Sequence, residues 1–462
     1  MERLLCSDLP LHVGEEVKIQ GWAHRVRSMG KVRFILVRDR SGIVQVVMSG
    51  ALAKDPELSA ETALEVTGRV VPAPKIALGC EVQASAIRLL SAKPDTLPFE
   101  VNLPRVETGL ENTLDHRVLA LRNPRARAAF TVQAEILEGF RQFLRGEGFT
   151  EVHTPKIVAT GTEGGAELFP VRYFERPAFL AQSPQFYKQM LVGSGFERVY
   201  ETGHVFRAER HNTSRHLNEF VSLDLEMGFI DGLEDLLRLE ELLLWHIFGH
   251  LAEQCAGELA LCEAVLPLAA PVPRLKISEI AEILRREHGK ELPDGTLDTE
   301  GERLIGEYVE SRLGSPFVFA THYPASARPM YSLPDPEDPS VTLTFDLLFK
   351  GMEMNSGGMR INDHEQLVAN MRKFGLDPKD FESYLEVFRY GMPPHGGFAI
   401  GLERLTTKVL GLENIREASL FPRASRRRTA GYFFILERAA SIADATTAPP
   451  RAVNSWVIVR DV

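Results

Sequence analysis

YETGHVFRAERHNTSRHLNEFVSLDLEMG, Tyr200 to Gly228, is the stretch on which the fold turns. It opens on an extended run, Val199 to Phe206, crosses a polar loop, Arg210 to Asn218, and returns on a second alternating run, Glu219 to Met227. Two such runs about a long polar loop predict an antiparallel hairpin. Long loops without structure of their own are usually functional or disordered. Arg207, Glu209, Arg210, His211, Arg215, His216 and Glu219 crowd into this one. Cationic groups suit a polyphosphate, and arginine suits it best because its planar fork binds two oxygens at once. Glu209 can accept a hydrogen bond from an amine, and Phe220 offers a flat face to a base. A solvated hairpin of mixed charge is the plain alternative.

FRAE at 206–209, RHLNEF at 215–220 and DLEM at 224–227 together resemble the second signature motif of class II aminoacyl-tRNA synthetases, in the form of the aspartate subgroup. The resemblance implies a catalytic role for Arg207, holding the α-phosphate of ATP. It also implies that Glu209 accepts from the adenine amine, that Phe220 stacks on the ring, and that Arg215 and His216 serve the phosphates. Asp224 would face the ammonium of the substrate aspartate.

The rest of the chain is consistent with a soluble enzyme of two or three domains, given 462 residues. Hydrophobic residues make up 44% and charged residues 25%, so neither a membrane protein nor a disordered one is indicated. No apolar run approaches the ~20 residues a membrane span needs, and nothing reads as a signal peptide. Cys6, Cys80, Cys255 and Cys262 lie without C-x-x-C spacing, which argues against zinc and disulfides and fits a reducing, cytoplasmic setting. The net charge of -10 does not advertise nucleic-acid binding, so charge has to be read locally.

Residues 1–100 alternate over Val17–Val26, Val32–Asp39, Ile43–Met48, Ala63–Val71 and Cys80–Leu90, which predicts a five-stranded oligonucleotide-binding (OB) barrel. Six basic residues and one acidic one lie between Arg25 and Arg40, with Phe34 among them. A basic face with an aromatic suits unpaired bases. By alternation alone Phe34 fits the core equally well. GWAHRVRSMGKVRFILVRDRSGIVQVV, from Gly21, resembles the anticodon-binding barrel of aspartyl-, asparaginyl- and lysyl-tRNA synthetases. That implies Phe34 stacks on the central anticodon base, with His24, Arg27 and Gln45 also at the anticodon.

A proline-punctuated stretch, Pro94–Pro104, and a hinge over 101–125 lead to a catalytic domain over 126–430. A helical pattern from Pro124 to Gly146 and a short strand ending at Pro155 resemble the first class II motif, the family's homodimer interface. In the glycine-rich loop TGTEGGAE, Thr160–Glu167, the residue matching Glu163 lies near the substrate amino group in the subgroup. QSPQFYK, Gln182–Lys188, is close to diagnostic of aspartyl enzymes; it implies that Ser183, Gln185 and Lys188 bind aspartate. Residues 230–335 read as an insertion or cover, and the tail 431–462 is unassigned. TLTFDLLFKGMEMNSGGMR, Thr342–Arg360, reads as two strands about a turn at Lys350-Gly351. Asp346 and Glu353 are an odd number of residues apart, so one continuous strand would point them to opposite faces. The turn can bring them together. With Ser356 they offer the oxygen ligands that Mg2+ prefers, and the family places Mg2+ with ATP there. Arg360 matches the arginine that pairs with the substrate carboxylate, and Ser356 and His395 also belong to the implied aspartate site. GMPPHGGFAIGLERL, Gly391–Leu405, resembles the third motif, whose arginine, here Arg404, binds the nucleotide. No Walker A or Rossmann fingerprint occurs.

The fold class so implied is α+β: an N-terminal OB barrel, then a class II catalytic domain on an antiparallel sheet flanked by helices. The resemblance, strongest to archaeal-type aspartyl-tRNA synthetases, implies that L-aspartate attacks ATP to give aspartyl-adenylate and is then passed to tRNA(Asp). Trp22 followed by His24 resembles the relaxed members, which also charge tRNA(Asn) and rely on an amidotransferase; Pro74-Lys75 resembles the strict form. An asparaginyl enzyme and a silent RNA-binding paralogue are the rivals.

Overall fold

A computed structural model of the chain describes residues 1–54, 58–161, 168–210 and 213–424. Glu163 and the tail 431–462 lie outside them. Two compact units make up the chain, Met1–Ala126 and the part from Arg127 onward.

The first unit holds β1 (Arg3–Leu4), β2 (Glu16–Met29), β3 (Val32–Arg38), β4 (Ile43–Ser49), β5 (Ala63–Pro72) and β6 (Cys80–Leu89), then α1 (Leu110–Asp115) and α2 (Arg117–Ala120). The strands run in the order β1-β2-β3-β4-β6-β5, and β2 pairs with β5 to close a barrel. Alternation drives this: Val17, Ile19, Ile35, Val37, Val44, Val46, Leu64 and Val66 all point inward and are buried. The segment 101–125 ties back to the same unit. Asn102 Nδ2 donates to the His24 carbonyl at 3.1 Å, and Arg122 reaches Glu61 at 3.1 Å.

From Pro124 the elements are α3 (Pro124–Gly146), β7 (Thr150–Glu151), β8 (Ile157–Val158), β9 (Pro170–Tyr173), β10 (Arg176–Leu180), α4 (Gln185–Leu191), β11 (Arg198–Phe206) and β12 (Glu219–Gly228). Next come α5 (Leu233–Gln254), α6 (Ala256–Cys262), β13 (Arg274–Lys276), α7 (Ile277–His288), α8 (Thr299–Leu313), β14 (Phe317–Thr321) and β15 (Thr344–Phe349). The last are β16 (Met352–Arg360), α9 (His364–Lys373), α10 (Glu382–Arg389), β17 (His395–Gly401) and α11 (Leu402–Leu410). Eight strands form one sheet in the order β13-β14-β15-β16-β17-β12-β11-β7. Its inner pairs are antiparallel; only the edge pairs β13–β14 and β11–β7 are parallel.

One core lies between this sheet and two long helices. On α3, Val132, Ile136, Phe140 and Leu144 recur every fourth residue; on α5, Leu236, Leu243, Ile247 and Leu251 form the matching stripe. They meet Leu223, Leu225, Phe345, Leu347, Phe349 and Phe398 from the sheet. Each such side chain, fully buried, contributes about 1.5–3 kcal/mol relative to exposure. Residues 230–335, expected as a cover, thus supply a core helix and the sheet strands β13 and β14. Amphipathic periodicity marked those helices without saying which surface they pack on. No helix among the described residues is long and apolar enough to cross a membrane.

Candidate active site

The hairpin predicted from Tyr200–Gly228 is β11 and β12, paired from Arg198↔Met227 to Phe206↔Glu219. Its loop is pinned from within. The Arg207 N–H donates to the Asn218 carbonyl at 2.9 Å, and Asn218 Nδ2 donates to the carbonyls of Arg207 and Glu209, each at 2.8 Å. The C-terminal segment also holds it, because Ile415 N–H donates to the Ser214 carbonyl and Asn218 N–H to that of Arg423, both at 2.9 Å.

Beside this loop lies a cavity of about 390 Å³. Its walls bring together the separate stretches read from the sequence: Ser183, Gln185 and Lys188; Arg207, Glu209, Arg215, His216, Phe220 and Asp224; Glu353, Ser356 and Arg360; and Arg404. The deep end is a buried network of charge. Lys188 Nζ lies 3.1 Å from Asp224 and 3.3 Å from Glu226. Arg360 Nε donates to Glu226 at 3.0 Å, and Arg360 Nη2 donates to the Gly397 carbonyl at 3.0 Å. Burial alone would raise the Glu226 carboxyl, but Arg360 and Lys188 outweigh it and hold the group below the usual carboxylate range. Gly397 is required here: a Cβ on it would sit 2.3 Å from Glu226 Oε2. Arg360 and Lys188 therefore already face two anions of the protein, Asp224 and Glu226. Glu226, inside the quoted DLEM, was the partner left without a role.

The shallow end is lined by guanidinium groups. Arg207 sits over the Phe220 ring, 5.6 Å from its centroid. Arg404 Nη1 donates to the Glu353 carbonyl at 3.1 Å. Arg215 is ion-paired with Glu302, from α8. Arg328, which sequence reading passed over, lines the same end and lies 2.8 Å from Asp346. Among the described residues, Arg207 Nε, Arg215 Nε and Gln185 Nε2 are buried donors without a hydrogen-bond partner. Buried donors left so at a cavity wall suit an oxygen-rich ligand.

The expected Mg2+ ligands sit at this end. Asp346 is across from Ser356 in the β15–β16 register, and Glu353 comes to 3.4 Å from the Ser356 hydroxyl. Asp346 Oδ1 is buried with no hydrogen-bond partner among the described residues, and burial together with the Asp346 charge pushes the Glu353 carboxyl up. A divalent cation relieves both conditions, so the residues fit one. They supply two carboxylates and a hydroxyl; among the described residues no group of three His, Cys, Asp or Glu gathers for a metal. The remaining ligands would have to come from phosphates and water.

His395 departs from expectation. Its ring does not line the cavity; it is fully buried, with Nδ1 2.9 Å from the Pro393 carbonyl and Nε2 2.9 Å from Gln189 Nε2. These partners make Nδ1 the donor and Nε2 an acceptor, so the ring is neutral, and burial lowers its pKa to about 4. It packs behind the deep end of the cavity rather than lining it.

In the barrel unit, Arg27 pairs with Phe34 and Leu36 with Gln45 across neighbouring strands, which puts Arg27, Phe34 and Gln45 on one outer face. Ile35 and Val37 point inward and are fully buried, so Phe34 belongs to the outer face and not the core. His24 does not join them. A bulge between Ala23 and Arg25 turns it inward, where its Nδ1 lies 2.7 Å from Arg38 and the side chain is 8% exposed. A direct base contact by His24 is thereby corrected.

The family described as tRNA synthetases class II (D, K and N) matches residues 109–425, and an OB-fold nucleic acid binding domain matches 17–90. An aspartate–tRNA(Asp/Asn) ligase of Thermus thermophilus is 48% identical over 92% of this chain and 100% of its own. An aspartate–tRNA(Asp) ligase of Pyrococcus abyssi is 44% identical over 90% of this chain and 96% of its own. Among solved structures, an asparaginyl-tRNA synthetase from Pyrococcus horikoshii, complexed with asparaginyl-adenylate, superposes with a TM-score of 0.87 at 32% identity. That likeness covers 93% of this chain and 99% of the other.

Proposed function

We propose, for a chain that belongs to the class II tRNA synthetases of the D, K and N group, that it is an ATP-dependent aspartate–tRNA ligase. The observation that carries this is the two-ended cavity. Lys188 and Arg360 line the deep end, suited to a carboxylate, and Arg207, Arg215, Arg328 and Arg404 line the end suited to a triphosphate.

Catalysis in this reading is positioning and charge stabilisation, with little proton chemistry borne by the protein. Asp224, anchored by Ser222 at 2.5 Å and by Lys188, takes the substrate ammonium. Lys188 and Arg360 take the side-chain carboxylate. Arg207 holds the α-phosphate as negative charge builds there, Phe220 carries the adenine and Glu209 accepts from its amine. Arg215, His216 and Arg404 serve the outer phosphates. Asp346, Glu353 and Ser356 would hold Mg2+, which when bound neutralises phosphate charge.

The barrel face of Arg27, Phe34 and Gln45 takes the anticodon. We infer that both tRNA(Asp) and tRNA(Asn) are charged. The higher identity to a ligase named for both tRNAs supports this, as does His24 in place of a second tryptophan. His24 lies in the bulge that precedes Arg25 and Arg27. A tRNA-dependent amidotransferase would then convert the misacylated product. The enzyme works as a cytoplasmic homodimer.

An asparaginyl enzyme is the second reading, favoured by the fold likeness. Exchange of pyrophosphate into ATP, measured with aspartate, with asparagine and with neither, separates them. Aspartate-dependent exchange is expected; exchange with asparagine alone, or with no amino acid effect, removes the assignment.

A further inference from the structure

Parity is the problem that the metal-binding carboxylates have to solve. Glu353 and Ser356 are three residues apart on β16, so a regular strand would turn them to opposite faces. The observed register solves it. Leu347 pairs with Asn355 and Leu348 with Glu353, which leaves Met354 as an extra residue in a β-bulge. Met354 and Asn355 are accordingly buried in succession, at 2% and 3% exposure, and Glu353 returns to the face of Ser356 and Asp346.

A bulge displaces ladder hydrogen bonds, and something must satisfy them. Here the side chain of Asn355 does: its Oδ1 accepts from the Leu347 N–H at 3.0 Å. The Asn355 amide can do so only while its other end is held the right way round. Its Nδ2 donates at 2.6 Å to Oε1 of Glu240, a fully buried carboxyl on α5, behind the sheet. Glu240 lies in the segment read from sequence as an insertion or cover, and no step of the mechanism uses it.

We propose that Glu240 is a positioning residue for the ATP site, holding Asn355 so that the bulge at Met354 keeps Glu353 and Ser356 beside Asp346. The proposal rests on the reading that those three residues hold the nucleotide's divalent ion. What matters in Glu240 is an acceptor at the right reach, not a negative charge. Glutamine keeps that acceptor and that length; aspartate keeps the charge but is one methylene short.

Binding of Mn2+ to the full-length protein with ATP, without aspartate so that no turnover occurs, is read by electron paramagnetic resonance. Glu240→Gln is expected to keep its affinity within about threefold, and Glu240→Asp and Asn355→Ala to weaken it tenfold or more. The double variant, Glu240→Asp with Asn355→Ala, should be no worse than Asn355→Ala alone, since the two act as a unit. Calorimetric titration with aspartate should change little in any of them. The opposite order, Asp retained and Gln lost, overturns the proposal in favour of a charge effect. So does wild-type affinity in Glu240→Asp. Asp346→Asn is the control: if it loses Mn2+ while Glu240→Asp keeps it, this proposal alone falls, whereas wild-type affinity in Asp346→Asn removes the metal reading beneath it.

Discussion

At the scale of single residues, charge compensation decides what the deep end of the cavity can do. Arg360, proposed to bind the substrate carboxylate, also neutralises Glu226, which is fully buried. Arg360→Met is therefore expected to cost about 1.5–3 kcal/mol of stability as well as aspartate-dependent exchange, since the buried Glu226 carboxylate loses a charged hydrogen-bond partner and keeps Lys188 as its remaining cation. Adding Glu226→Gln should recover most of the stability, read by urea denaturation, but not the exchange. Recovery of both would mean that Arg360 never met the substrate. His395 makes a separate prediction about pH. Its folded pKa, about 4, lies below the ordinary value of about 6.5, so the stability it contributes is present above pH 6.5 and lost as pH falls toward 4. The loss amounts to roughly 3 kcal/mol on that shift. A melting temperature measured over this range should fall for the wild type and fall less for His395→Gln. Neither effect was legible in the sequence. QSPQFYK and the motif around Arg360 pointed to a carboxylate, but the partner that balances Arg360 lies 134 residues away.

At the scale of elements, the hairpin was legible almost to the residue, because alternation and a polar loop are local signals. Its anchoring was not. Glu302 on α8 accepts from Arg215 and from the Glu353 N–H, the latter at 2.8 Å, so one carboxylate ties the hairpin loop to β16. Glu302→Gln should raise the KM for ATP in the exchange assay about tenfold, or ~1.4 kcal/mol, and leave that for aspartate within about twofold. Equal rises for both would make Glu302 a general structural residue. Arg207→Ala should abolish adenylate formation outright. The two bulges, at His24 and Met354, belong to this scale as well. Each breaks the alternation from which strand faces are read. The turn between β15 and β16 was easier: Lys350 and Gly351 both have positive φ, 47° and 67°, as a two-residue hairpin with this twist requires.

At the scale of the whole molecule, the proposed reading gives the barrel face of Arg27, Phe34 and Gln45 to the anticodon and the cavity to the adenylate. In that reading the choice of tRNA rests with the barrel. The two anticodons share the central base that Phe34 is proposed to stack on and differ only at the first. Phe34→Ala should therefore weaken charging of tRNA(Asp) and tRNA(Asn) alike, by about 1–3 kcal/mol each. A wild-type preference between the two is expected to stay under about a hundredfold, because one base-edge contact is worth ~1–3 kcal/mol. A larger preference, with purified tRNAs charged side by side, would make the enzyme strict.

The sequence by itself determined the fold class, the barrel strands, the hairpin and most of the cavity lining. These are written in short-range periodicity and in compact motifs, each carried by one hairpin or one helix end. Only the tertiary structure decided which charges meet. Glu240 and Asn355 are 115 residues apart, Arg215 and Glu302 are 87 apart, and the contact of each pair depends on how helices from 230–335 lie against the sheet. Periodicity shows that such a helix has an apolar face; what its few buried carboxylates touch is set by strand register, and a single extra residue in β16 changes that register.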